Sequence, residues 1–374
     1  MVRPHEAVAR RRVAVLPGDD AAPEAVEATM GLLEAMALPV EWVVLPDGET
    51  MARKFSRPER DQLIRETVDS CAAALFGATS GKTGAVWYLR WGKDTYANVR
   101  PVRWREGVPS PLRDPAGIDY VIVRENLEDL YVGIEGDLGA LRSSGLDLRP
   151  HGGRIDVSPS IGPATAADGR FAVKVLTKEN TERVAHFACR LARERKGRGY
   201  PGKVTCSCKY NVLPQSDGFF RHTVAAVVAG YPELDYEEYI VDDFARRLVA
   251  TPRDLDVVVM PNLYGDILSD EAAATVGGLG VAPSGCYGDG FAYFEPVHGT
   301  APDIAGRGIV NPTATTLSAA MLLRHLGLAL DASRLESAVD ATLAAADNLT
   351  PDLGGRGTTR SFTGAVLSRI GQGR

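Results

Sequence analysis

Cysteine is scarce and scattered. Cys71, Cys189, Cys206, Cys208 and Cys286 are the five thiols in 374 residues, and their spacing does not suggest a disulfide framework. Cys206-Ser-Cys208 lacks the second pair that would complete a zinc site, and alternate cysteines on a strand account for it better. Long apolar runs are missing too, since no stretch approaches the ~20 residues needed to span a bilayer. Val13-Ala-Val-Leu-Pro17, behind the basic Arg3, Arg10, Arg11 and Arg12, is too short for a secretory core and reads as a first strand. These absences predict a cytoplasmic protein. Neither sign of charge dominates: the net charge of −6 argues against general affinity for nucleic acid or an anionic membrane. No Gly-x-Gly-x-x-Gly follows the first strand, which excludes an ordinary Rossmann site. Gly77-Ala-Thr-Ser-Gly81-Lys82-Thr83 is one residue short of a P-loop. Nucleotide hydrolysis is therefore not expected, although Ser80, Lys82, Thr83 and the glycine amides could still bind an anion.

What is present is ordinary in bulk. Hydrophobic residues make up 45% of the chain and charged residues 24%, as in soluble globular proteins, and the length predicts two domains. Apolar runs at 13–16, 72–76, 120–123, 238–241 and 256–260 read as strands. Residues 23–37, 180–195, 218–230 and 313–328 read as helices; the first places Val26, Met30, Leu33 and Met36 on one stripe. Strands alternating with amphipathic helices predict α/β layers around a largely parallel sheet. From Asp137 to about Val173 the composition turns to Gly, Ser, Asp and Pro, which predicts a surface loop or an arm that another element covers.

Detail is concentrated in three clusters. In Asn262-Leu-Tyr-Gly-Asp266-Ile-Leu-Ser-Asp270-Glu271, two carboxylates four residues apart head an Ala-rich helical run. Positions i and i+4 share a helix face, so Asp266 and Asp270 suit a hard divalent cation. Acidic residues favouring the positive end of a helix dipole are the plainer reading. The second cluster is cationic, with three arginines, Arg90, Arg100 and Arg124, each beside a strand or helix end. Arg124 ends an apolar strand, where α/β proteins bind ligands. Guanidinium suits bidentate carboxylate contacts, so a di- or tricarboxylate substrate competes here with surface ion pairs. The third is Phe294-Glu-Pro-Val-His298-Gly299-Thr-Ala301-Pro-Asp303-Ile304, continuing to Asn311-Pro-Thr313. Small residues let a nucleotide approach the backbone, and Asp303 could accept from ribose hydroxyls while repelling a 2′-phosphate. An ordinary turn-rich loop fits the same residues.

Together these segments resemble the β-decarboxylating dehydrogenases of 2-hydroxy acids: isocitrate, homoisocitrate, 3-isopropylmalate and tartrate dehydrogenases. The resemblance runs from Val13 to about Leu328, and the runs ending at Asp270 and Ile304 are its most specific motifs. It implies an α/β fold with a discontinuous large cofactor-binding domain over 1–100 and 277–374. A small dimerisation and substrate domain over 101–276 would carry a clasp arm at about 137–173, with a cleft active site in a homodimer. Roles follow from the same resemblance. Arg90, Arg100 and Arg124 match the arginines that hold the malate carboxylates, and Tyr131 matches the catalytic tyrosine. Lys209 matches the catalytic lysine and Asp242 a metal-linked catalytic aspartate, both supplied by the neighbouring subunit. Asp266 and Asp270 match the home subunit's ligands for Mg²⁺ or Mn²⁺. His298, Gly299, Ala301, Asp303, Ile304 and Asn311 match the adenosine site of members that prefer NAD.

The group at C3 of the malate distinguishes the members, and here the motifs are mixed. The isocitrate-type Ser-x-Asn before the first arginine is replaced by Gly84-Ala-Val86. Val86 and Trp87 are apolar, as in isopropylmalate-type enzymes, yet Arg124-Glu-Asn-Leu is isocitrate-like. The closest local match is homoisocitrate dehydrogenase, though Trp87 stands where those enzymes often carry arginine and the loop from Ser80 to Arg90 is shorter. The family's Gly-Asp-Gly-Ile-Gly-Pro-Glu appears as Gly18-Asp19-Asp20-Ala-Ala22-Pro23-Glu24. With Ser80, Lys82, Thr83, Val86 and Trp87 as substrate contacts, the expected substrate has a polar or anionic C3 group. Homoisocitrate or isocitrate leads, with a phosphonate such as phosphonomethylmalate also fitting the donors. 3-Isopropylmalate or tartrate is the alternative, and a non-catalytic regulatory subunit is the reading from a different class.

Overall fold

Strands that are apolar throughout must be covered on both faces, and three short runs in this chain are. Val13–Leu16 within the first strand, Ala73–Phe76 and Val257–Met260 are buried at every position, as expected of parallel strands sandwiched between helices. The computed structural model describes residues 11–145 and 168–372. Its strands are β1 (Arg11–Leu16), β2 (Val40–Val44), β3 (Ala73–Phe76), β4 (Ala97–Arg103), β5 (Asp119–Glu125), β6 (Glu135–Asp137), β7 (Arg170–Ala172), β8 (Lys203–Cys208), β9 (Asp235–Ile240), β10 (Val257–Met260), β11 (Pro283–Tyr287) and β12 (Ala292–Pro296).

Ten of them form one sheet in the order β2-β1-β3-β12-β11-β4-β5-β10-β8-β9. Six of its nine pairings are parallel, as the alternating pattern predicts. The centre is not: β12, β11, β4 and β5 are joined antiparallel. Two parallel blocks of four strands therefore run in opposite directions, joined through β11 and β4. Strands β4 and β11 escape a reading by apolar runs because they carry Arg100, Pro101 and Arg103, and Pro283 and Gly285. The domain boundary expected at 100/101 falls inside β4, which pairs with both halves.

The expected helices appear as Ala22–Ala35, Lys178–Lys196, Asp217–Val228 and Thr313–His325. In the last, every residue from Thr313 to Leu323 is buried, so it runs through the core rather than along the surface. Within the polar stretch, β6 and β7 pair antiparallel in a separate small sheet, and the helix Leu138–Ser143 follows β6. The rest of the expected clasp, 146–167, lies outside the described residues. Among the described residues no helix is long and apolar enough to cross a membrane.

Candidate active site

Arg124 is the penultimate residue of strand β5 and is 1% exposed. Its Nε donates to Asn262 Oδ1 at 2.8 Å, and its Nη1 pairs with Asp266. Both partners lie on the helix Asn262–Thr275, which follows β10. Gly265 lets that helix sit against β5: a Cβ there would stand 2.8 Å from the Arg124 side chain. Arg100, on the neighbouring β4, reaches the same helix. Its guanidinium donates to Ser269 Oγ at 2.5 Å, pairs with Asp266 at 3.2 Å and lies 3.5 Å from Asp270. Arg90 arrives on the short π-helical turn Tyr88–Gly92. The Tyr131 ring completes the group, 4.8 Å from the Arg124 guanidinium and 5.6 Å from that of Arg90, with its hydroxyl donating to Asp266.

Like charges in this space raise one another's energy. Burial, with Arg100 alongside, pushes Arg124 down to about 10. Against the cost of burial, Arg124 and Arg100 hold Asp266 below the usual carboxylate range. Burial pushes Asp270 upward, opposed by Arg100 and reinforced by the charge of Asp266. At an effective dielectric of 20, a charge pair 4 Å apart is worth about 4 kcal/mol. A bound anion therefore relieves the arginines substantially. Arg90 Nε, Arg100 Nε and Arg124 Nη2 are each buried with no hydrogen-bond partner in the described structure, an expensive state that a ligand carboxylate can relieve.

The same helix bears on metal binding. Asp266 and Asp270 offer hard oxygens at i and i+4, and a dication would offset the burial and the Asp266 charge that raise Asp270. The donor set thus fits Mg²⁺ or Mn²⁺, but among the described residues no group of three His, Cys, Asp or Glu is placed to hold an ion. Further ligands must come from substrate, water or another chain. Lys209 and Asp242 sit apart and form an ion pair with each other, and the lysine holds Asp242 below its usual range. Among the described residues no hydrogen bond or ion pair runs directly from either side chain of this pair to the arginine cluster.

A buried ionic relay connects the two regions. Asp129, whose φ is positive (+66°), accepts from the Leu263 N–H at 2.9 Å and so caps the aspartate helix. Lys174 lies 3.5 Å from Asp129 and 2.5 Å from Asp217, and Asp217 accepts from the Lys209 N–H at 2.7 Å. Sequence reading missed Asp129, Lys174, Asp217 and Ser269, because their partners are far away in the chain. Asn262 stood at the head of a quoted motif without a role.

The nucleotide-type loop lies against the start of the chain. Ala301 and Ile304 pack on Ala21, Ala25 and Val310. Asp303 is exposed on a 3-10 turn beside them. His298 Nδ1 lies 2.9 Å from the Gly299 carbonyl, and burial lowers its pKa. Asn311 is anchored, donating to Asp352 at 2.9 Å and accepting from the Thr313 N–H at 3.0 Å.

The expected anion donors are occupied. Asp19 is fully buried and accepts from the Ser80 N–H at 2.8 Å, the Ser80 hydroxyl at 3.2 Å and the Lys82 N–H at 3.1 Å. The Lys82 ammonium bridges Asp20 at 2.6 Å and Glu49 at 2.8 Å, while the Thr83 hydroxyl lies 3.1 Å from that of Thr79. In this structure neighbouring carboxylates and a hydroxyl engage Ser80, Lys82 and Thr83, the residues expected to contact the C3 group. Val86 packs against buried apolar residues, and Trp87 stacks on Trp91.

Comparison with known proteins agrees with this geometry. The isocitrate/isopropylmalate dehydrogenase family model matches residues 12–366. The chain is 42% identical over 361 residues to a 3-isopropylmalate/3-methylmalate dehydrogenase of Methanocaldococcus jannaschii, covering 96% of this chain and 98% of that protein. It is 42% identical over 368 residues to an isocitrate/homoisocitrate dehydrogenase of Thermus thermophilus, again covering 96% and 98%. The structure is similar to that of isocitrate dehydrogenase from Methylococcus capsulatus, with a TM-score of 0.82, 31% identity and coverage of 96% and 99%.

Proposed function

The chain belongs to the isocitrate/isopropylmalate dehydrogenase family and is a decarboxylating oxidoreductase; from that premise we propose that it oxidises a 3-substituted malate at C2 with NAD⁺ and releases the C3 carboxylate as CO₂. The observation that carries this reading is the convergence of Arg90, Arg100 and Arg124, each with a buried unpartnered nitrogen, on Asp266 and Tyr131. The arginines hold the malate carboxylates and orient C2 and C3. Lys209 of the partner subunit takes the proton of the C2 hydroxyl, and Tyr131 protonates C3 after CO₂ has left. A divalent ion on Asp266 and Asp270, with Asp242 of the partner subunit, would supply Lewis-acid polarisation of the substrate's oxygens. NAD⁺ would accept the C2 hydride, with its adenosine along His298, Gly299, Ala301, Asp303, Ile304 and Asn311. Asp303, exposed in the proposed adenosine loop, would repel a 2′-phosphate, which supports NAD over NADP. A regulatory subunit would be expected to lack part of this set, yet Tyr131, Lys209, Asp242, Asp266 and Asp270 are all present.

At C3 the occupied state of Lys82 changes the balance. No free cation in that loop remains for a third carboxylate or a phosphonate, so the reading that began from those donors loses its support. Val86 and Trp87 are left as the C3 wall, which favours an alkyl group such as that of 3-isopropylmalate or 3-methylmalate. Homoisocitrate and isocitrate remain the competing reading from Arg124-Glu-Asn-Leu. Purified protein with Mn²⁺ should be assayed with NAD⁺ and NADP⁺ against these four acids and tartrate. The expected result is NADH and CO₂ formation with the highest kcat/KM for an alkylmalate. A tenfold preference for a tricarboxylate would return the choice to the anionic reading, and no turnover of any substrate would sink the proposal.

A further inference from the structure

Lys174 stands between the two halves of the candidate machinery. Its ammonium lies 2.5 Å from Asp217 Oδ1 and 3.5 Å from Asp129 Oδ1. It also lies 4.5 Å from the centre of the Tyr264 ring, which belongs to the aspartate helix Asn262–Thr275. Both carboxylates are buried, and among the described residues Lys174 is the only cation within ion-pair distance of either. Buried carboxylates are tolerated when they are paired, so one lysine balances two of them.

Each carboxylate turns its second oxygen to a backbone N–H. Asp129 Oδ2 accepts from Leu263 at 2.9 Å, in the first turn of the aspartate helix. Asp217 Oδ2 accepts from Lys209 at 2.7 Å, and the Lys209 side chain leaves the relay for Asp242. Asp129 keeps a positive φ of +66°, which a side chain adopts only where its surroundings enforce it. The Asp129 N–H donates to the Val175 carbonyl at 2.8 Å, which seats Lys174 beside this residue.

We propose that Lys174 is a positioning residue that fixes the Lys209 backbone to the aspartate helix of its own chain. The inference rests on the shared-site reading above, in which Lys209 and Asp242 serve the partner subunit. Lys174 then ties the lysine of one active site to the aspartate pair of the other. It acts through Asp217 and Asp129 and does not touch substrate.

Hybrid dimers with one working site separate the two arms. When a Lys174→Met/Asp266→Asn chain is paired with a wild-type chain, the working site takes its lysine from the chain without Lys174. When a Lys174→Met/Lys209→Ala chain is paired with a wild-type chain, the working site takes its aspartate helix from that chain. In both, kcat should fall at least tenfold relative to the same hybrid with Lys174 intact, with the KM for NAD⁺ unchanged. Lys174→Arg, which keeps the cation, should recover most of the loss. In the Lys174→Met homodimer, hydrogen exchange should quicken at the Leu263 and Lys209 amides, a readout that needs no turnover. Lys174→Gln replaces the Met variant if that protein fails to give the wild-type circular-dichroism spectrum. Loss in one hybrid alone makes Lys174 a local prop and overturns the proposal. Wild-type kcat in the Lys174→Met homodimer, or unchanged exchange at both amides, overturns it and leaves the shared site standing. A slow homodimer with neither hybrid affected overturns the shared site and the coupling together.

Discussion

A Cβ on Gly265 would meet Arg124 at 2.8 Å from both its Cβ and Cγ, and this Arg124 side chain cannot retreat because it is buried against β4 and Asn262. Gly265→Ala should therefore push the aspartate helix away from β5. Overpacking of this kind costs about 1–3 kcal/mol, and a site displaced by about 1 Å loses on the order of a hundredfold in rate. Thermal melts and kcat/KM measured on one preparation check both effects. Glu125, the next residue after Arg124, makes a pH-dependent contribution. It is 1% exposed, accepts from the Leu127 and Glu128 N–H groups, and burial pushes its pKa up to about 7. Between the ordinary carboxylate value and about 7 the folded chain holds a proton that the unfolded chain has released. Stability from this group is therefore present at low pH and is lost as pH rises toward neutrality. Glu125→Gln should raise the melting temperature at pH 8 and leave it nearly unchanged at pH 5; an equal shift at both pH values would contradict the assignment.

At the scale of elements, the turn ahead of the helix Ala22–Ala35 shows how one altered loop is held by another. Asp20 occupies a left-handed conformation (φ +56°) that ordinarily favours glycine. Its carboxylate is held low chiefly by the Lys82 ammonium, with Thr300 of the nucleotide-type loop also contributing. Exposed ion pairs add little to global stability, so Lys82→Met should hardly move the melting temperature. It should instead free Asp20 beside the proposed cofactor loop and raise the KM for NAD⁺. Adding Asp20→Gly to the same chain should restore that KM, and a double-mutant cycle in NAD⁺ affinity measures the coupling. Independent effects would refute it. The helix Asn262–Thr275 was legible in sequence, because the two aspartates and their spacing lie within one element. Its cap at Asp129 was not, because the partners are 134 positions apart.

Across the whole molecule, the candidate machinery is divided. Arginines, tyrosine and the aspartate pair gather on one side, while Lys209 and Asp242 pair with each other. If two copies exchange these groups, Lys209→Ala and Asp266→Asn proteins should each be inactive, and mixing them under conditions that allow subunit exchange should restore activity. Each hybrid dimer would hold one doubly damaged and one intact site, giving about a quarter of wild-type activity at full exchange. Recovery of none, with hybrids demonstrated by mass spectrometry, would place the whole site in one chain.

Sequence alone determined the features that live within single elements: apolar strands, helices at their apolar stripes, the Asp266–Asp270 spacing, the arginine near the end of β5, and the motifs that mark the family. Local spacing is set by backbone geometry, so it can be read without knowing the neighbours. Tertiary structure decided what depends on distant segments meeting. It made the centre of the sheet antiparallel, placed Gly265 against Arg124, and gave Lys82 to Asp20 and Glu49. A lysine's chemistry is set by the carboxylates around it, and those carboxylates come from elsewhere in the chain.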